Sequence, residues 1–146
     1  MRHVATVMVA LGLIVGCHAR DPRRPPIIRY GQETCAWCRM LISEEPFAAA
    51  LVFGDDVEKF DDLGCLVRAW AARPRPQARV WVHDQRSMAW IDGRTATYVA
   101  SPEGASPMGS GLFAFADVAV ARAAAARVSG RVVKFDELVL QQRGVE

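Results

Sequence analysis

Twice in this chain an aromatic residue runs into an aspartate that opens a helix-periodic stretch, at Phe60-Asp61 and again at Phe115-Ala116-Asp117. The same order of elements surrounds both helix starts. In the first half Met40-Leu41-Ile42 reads as a short strand and Glu44-Glu45-Pro46 as a turn. Phe47 to Phe53 is then a strand closed by Gly54-Asp55-Asp56, a hairpin signal. Val57 to Phe60 runs on, and Asp61 or Asp62 caps a helix carrying Leu63, Leu66, Val67 and Trp70. Pro74 and Pro76 end that helix, and Ala78 to His83 alternates as a strand should. In the second half Met88 to Ile91 is a strand, Asp92-Gly93 a turn signal and Thr95 to Val99 another strand. A Gly-, Ser- and Pro-rich loop carries Met108, and Asp117 caps an Ala-rich helix to about Val128. Gly130 stops it, Arg131 to Phe135 returns as a strand, and Asp136 to Gln142 is a short helix. Each half thus reads strand–strand–helix–strand. The expectation is an α+β protein of two tandem ββαβ units, residues 31–84 and 85–146, packed into one compact domain.

The first 30 residues are of another kind. Met1-Arg2-His3 is a short positive start, and Val4 to Val15 is apolar and uncharged. Twelve such residues are too few to span a bilayer but suit a signal-peptide core, which makes residues 1–16 the signal. The run closes in Ile14-Val15-Gly16-Cys17, which resembles the lipobox of bacterial lipoproteins, whose signal is cut before a cysteine that receives diacylglycerol. Cys17 is then the lipidation site and residues 17–30 a Pro/Arg-rich, extended tether. These features place the domain on the periplasmic side of the cell envelope, anchored to a membrane by lipid. His18 stands where an inner-membrane retention signal often has Asp, which favours the outer membrane. The formal charge of +2 comes with no basic stripe among aromatics, so nucleic acid is not an expected partner. With 51% hydrophobic and 23% charged residues, the chain as a whole has the composition of a globular protein and not a disordered one.

Lipidation of Cys17 leaves Cys35, Cys38 and Cys65. Three thiols cannot all pair within one chain, so in an oxidising compartment at least one is free, capped or metal-bound. Cys35-Ala36-Trp37-Cys38-Arg39-Met40 sets two thiols and a thioether within six residues. Four readings are open. Dithiol redox chemistry wants its CxxC at a helix start after a strand, whereas no strand is evident before Cys35 and the residues after it look extended. A structural disulfide, Cys35–Cys38 or Cys35–Cys65, is the plain alternative. Zinc would take Cys35, Cys38, Cys65 and His83, but Cys65 has no paired neighbour and His83, at a strand end, reads as a surface residue. Cu(I) is satisfied by two to four soft ligands, and a thioether suits it better than zinc. Cys38 and Met40, two apart on an extended chain, face the same way. Met108 sits in a flexible Gly/Ser loop rather than on an apolar face, which marks it as a further ligand; Met88, on a predicted strand, reads as core. Cys65 follows Gly64 on the first helix and reads equally as ligand or as small buried residue.

From Cys35 to Leu138 the chain resembles the NosL family, the nitrous oxide reductase accessory lipoproteins. The likeness rests on Cys38-x-Met40, on Met108-Gly109 leading into Leu112-Phe113-Ala114-Phe115-Ala116-Asp117, and on Gly130-Arg131-Val132-Val133-Lys134-Phe135-Asp136-Glu137-Leu138. The resemblance implies an outer-membrane-type lipoprotein of two ββαβ units, a Cu(I) metallochaperone and not an enzyme, with Cys38, Met40 and Met108 as copper residues. It implies delivery to nitrous oxide reductase or to the transporter complex that assembles its copper site. Glu44-Glu45-Pro46 replaces the family's His-Gly-Pro, Met108-Gly109-Ser110 its Met-Gly-Pro, and Cys35 and Cys65 are additional thiols. These differences keep two alternatives open, another recipient cuproenzyme and a thiol–disulfide protein that keeps copper-site cysteines reduced.

Overall fold

The computed structural model describes Asp21 and residues 23–144. The signal segment and Cys17 lie outside the described residues. Ala49–Phe53 (β1) and Asp56–Phe60 (β2) form a hairpin with Ala49 opposite Phe60 and Phe53 opposite Asp56. Gly54 turns its corner at φ +57, a left-handed value that costs glycine little. Helix α1, Leu63–Ala72, follows, and β3, Arg79–His83, returns on the other side of β1. Trp90–Asp92 (β4) adds to β3, so the first sheet is antiparallel with order β2-β1-β3-β4. In the second sheet Thr97–Ala100 (β5) lies between Leu112–Phe115 (β6) and Arg131–Lys134 (β7). Helix α2, Val118–Arg127, connects β6 to β7, and α3, Phe135–Arg143, follows β7.

Local chemistry explains the helices, and their buried faces explain the packing. Asp62 caps α1 by accepting from the Gly64 N–H at 2.6 Å, and Leu63, Leu66, Val67 and Trp70 form the one-sided stripe it buries. Trp70 meets Phe135 edge-on, with ring centroids 5.3 Å apart. Leu138 and Val139 of α3 enter the same core as Leu51, Val80 and Val82 of the first sheet and Tyr98, Ala114 and Val133 of the second. One core therefore closes over both units. Complete burial of Leu51, Leu63 and Leu66 contributes about 1.5–3 kcal/mol each. A smaller cluster beneath α2 joins Ala121 and Ala125 to Val99 and Phe115. No helix of the described residues is long and apolar enough to cross a membrane.

The α+β class and the two ββαβ units stand, but several strands sit elsewhere than the periodicity predicts. Met40-Leu41-Ile42 is not a strand: only Leu41 bridges, to Thr34. Pro46 helps set a 3₁₀ turn over Glu45–Phe47, so the strand expected from Phe47 begins at Ala49. Val57 to Phe60 is the second strand of the first hairpin. Met88, expected on a core strand, lies in a turn at φ +63 and is only half-buried. The strand near it, β4, belongs to the first sheet, and the second hairpin pairs β5 with β6. Leu112–Phe115 escapes a periodicity reading because Leu112, Ala114 and Phe115 are all buried, which removes the polar alternation. Within the tether expected over residues 17–30, Pro26 and Ile28 are buried, so the chain joins the fold before residue 31.

Candidate metal centre

The CxxC residues lie in a tight knuckle rather than on an extended chain. The Thr34–Leu41 bridge closes it, the Cys35 N–H donates to the Met40 carbonyl at 2.8 Å, and the Arg39 N–H donates to the Cys35 carbonyl at 3.1 Å. The tightness forces Arg39 to φ +67, a conformation that costs a residue with a Cβ about 1–2 kcal/mol. The Ala36 N–H, donating to the Lys59 carbonyl at 2.8 Å, fastens the knuckle to β2. So does the ion pair of Lys59 Nζ with Glu33, at 2.7 Å. With this backbone Cys38 and Met40 are not brought together by strand alternation. The turn instead aims amides at sulfur: Trp37 and Cys38 N–H groups donate to Cys35, and the Met40 N–H donates to Cys38.

Helix α1 supplies the third sulfur. Cys65 lies in its first turn, three residues after the Asp62 cap, with its N–H on the Asp62 carbonyl at 3.0 Å. The Sγ atoms of Cys35, Cys38 and Cys65 all lie within 4.8 Å of one another. Three thiolates around one ion at a bond length of about 2.3 Å are about 4 Å apart, so small side-chain shifts would bring these sulfurs onto a common ligand. Cys35 and Cys65 are completely buried and Cys38 is half-buried. The Cys65 S–H donates to Cys35, and with the backbone N–H groups it holds the Cys35 thiol well below the ordinary range. Acting as donor pushes Cys65 up, and burial raises Cys38. The cluster therefore concentrates one negative charge on Cys35 and keeps Cys38 and Cys65 protonated, so a thiophilic cation would have to displace their protons on binding. The Arg68 guanidinium, 3.8 Å from the Cys65 sulfur, adds positive charge beside it.

Met40 and Met108 are exposed and line one open cleft of about 500 Å³ with Leu41, Glu44 and Asp61. Asp61 links this cleft to the thiols, because its backbone N–H donates to the Cys35 sulfur. The Met108 loop is not the free loop its composition predicts. The Met108 N–H and the Ser106 hydroxyl both donate to Asp62 Oδ2, at 3.1 and 2.6 Å.

The NosL family model matches residues 27–142, most of the chain. The chain belongs to the NosL family. A curated relative, the copper-binding lipoprotein NosL of Stutzerimonas stutzeri, is 28% identical over 147 aligned positions, covering 90% of this chain and 76% of that protein. The solved copper chaperone NosL from Shewanella denitrificans superposes with a TM-score of 0.71 at 24% identity, over 80% of this chain and 96% of that one. At that identity the likeness speaks for the fold.

In this NosL chain His83 is not the surface residue its place at a strand end predicts. It is buried, stacked on Trp90 with centroids 3.8 Å apart, with Nδ1 on the Met88 carbonyl at 2.8 Å and Nε2 on the Tyr30 hydroxyl at 3.3 Å. Both ring nitrogens are thereby engaged, and burial holds its pKa below the usual value. Among the described residues no imidazole or carboxylate joins the three sulfurs, so the Cys₃His zinc set is not assembled. Sequence reasoning saw Asp62 only as a helix cap. Its contact with the Met108 loop joins residues 46 apart, which no local signal reports.

Proposed function

We propose that this protein is a lipid-anchored Cu(I) metallochaperone of the periplasmic face of the envelope, held at the outer membrane through Cys17. Its cargo passes to nitrous oxide reductase or to the transporter complex that assembles that enzyme's copper site. The observation that carries the reading is the convergence of three thiols within 4.8 Å beside a cleft lined by two thioethers. Soft sulfur donors in a set of three suit Cu(I), whereas structural zinc takes four ligands. Cys35, Cys38 and Cys65 as thiolates retain the ion, and Cys38, the least buried, is where it enters and leaves. Met40 and Met108 offer neutral, labile bonds in the cleft, so copper moves to a partner by ligand exchange. The names of the two relatives support copper as the cargo. Thiol–disulfide chemistry is less well served, because the thiol held in its reactive form, Cys35, is completely buried.

The test is an anaerobic Cu(I) competition titration of the reduced, full-length protein against a chromogenic chelator, with Cys38→Ser, Cys65→Ser and Met108→Ala alongside. Wild type withdraws about one Cu(I) per chain, the cysteine variants lose most of that affinity, and Met108→Ala loses less but exchanges copper more slowly. Wild type that fails to compete refutes the chaperone reading.

A further inference from the structure

From the contacts between α1 and the Met108 loop we infer that Asp62 is a positioning residue for copper, holding the Met108 thioether and the Cys65 thiol in one frame. The inference rests on the Cu(I) reading above. Asp62 is completely buried, and its carboxylate is fully engaged: Oδ1 accepts from the Gly64 N–H at 2.6 Å, and Oδ2 from Ser106 Oγ at 2.6 Å and the Met108 N–H at 3.1 Å. Its carbonyl accepts the Cys65 N–H at 3.0 Å. One residue thus sets the helix turn that presents a thiol and the loop that presents a thioether. A cap needs only the Gly64 contact. The two bonds from Oδ2 add nothing to the helix and act on the loop alone. Gly64 completes the joint, since a Cβ there would stand 2.5 Å from Ser110 Cβ. The loop therefore reaches Asp62 across a surface shaped to admit it.

Asp62→Asn separates the two duties. Asparagine is as good a cap as aspartate, and its oxygen keeps the Gly64 bond. Its NH₂ then faces the Met108 N–H, donor against donor, and the loop loses its acceptor. The experiment uses the full-length, reduced chain in detergent, with ¹³C-labelled methionine methyl groups followed by NMR on Cu(I) addition, and affinity measured by chelator competition. In wild type the Met108 methyl shifts. In Asp62→Asn that shift collapses while the Met40 shift persists, and affinity falls about tenfold, the size of one hydrogen bond to a charged group. Asp62→Asn combined with Met108→Ala is no weaker than Met108→Ala alone. Ser106→Ala, which removes one Oδ2 partner and leaves the cap intact, moves both readouts the same way to a smaller extent. An unchanged Met108 shift and affinity in both variants overturns the inference and leaves the copper reading standing. A wild-type protein that shows the Cu(I)–thiolate band but no Met108 shift removes Met108 from the site and the inference with it. Absence of the band refutes the copper reading itself.

Discussion

Gly64→Ala sets two opposed magnitudes against each other. Inside a helix, alanine is better than glycine by about 0.5–1 kcal/mol; at Gly64, the second residue of α1, that is an upper bound, and propensity predicts a slightly more stable protein. The fold predicts the opposite. The new methyl would lie 2.5 Å from Ser110 Cβ and 3.0 Å from Asp62 Oδ1, against an ordinary carbon–carbon contact of about 3.5–4.0 Å. Neither neighbour is the free end of a flexible side chain, so the loop must lift from α1. Lifting breaks the bonds of Ser106 and Met108 to Asp62, each worth about 1.5 kcal/mol or more as a bond to a charged group. The net change is a destabilisation of about 2 kcal/mol. At about 4 °C per kcal/mol for a domain of this size, Tm falls by about 8 °C. Thermal unfolding followed by circular dichroism on the reduced protein reads this directly. A Tm that stays level or rises would mean the Met108 loop is not packed on α1, and the frame argued for Asp62 would go with it.

Two further outcomes follow from groups away from the sulfurs. Asp117 caps α2 through the Ala119 and Val120 N–H groups, at 2.6 and 3.0 Å; Asp117→Ala should cost about 1 kcal/mol, Asp117→Asn much less, and neither should change Cu(I) affinity. Burial lowers the pKa of His83 in the fold, so between that value and its unfolded value of about 6.5 the unfolded chain binds the extra proton. Its contribution is therefore complete above pH of about 6.5 and is lost on acidification below it. Urea titrations from pH 7.5 to 5.5 should show wild type losing more stability than His83→Gln, and parallel losses would contradict the buried neutral imidazole.

Much of the fold was legible because its signals are local. Asp62 and Asp117 stand where caps belong, Pro74 and Gly130 stand where helices end, and Leu63, Leu66, Val67 and Trp70 repeat at helical spacing. Strand membership was harder. Trp90–Asp92 joins the first sheet and Leu112–Phe115 pairs with β5 because of partners far along the chain, and a short strand buried on both faces carries no alternation to reveal it. At the candidate site, the sulfur donors were legible as residue types, but their grouping was not. Cys38 and Met40 were expected together through an extended backbone, and the left-handed Arg39 removes that route.

By itself the sequence determined the α+β class, the main helices with their caps and the soft-donor chemistry, because these depend on residues within a turn or two of one another. Only the tertiary structure decided that Cys65 meets Cys35 and Cys38, that His83 is held elsewhere by Tyr30 and Met88, and that Asp62 grips the Met108 loop. Each of those contacts joins separate segments, and the shared core that seats α1 against both sheets is what brings them within bonding distance.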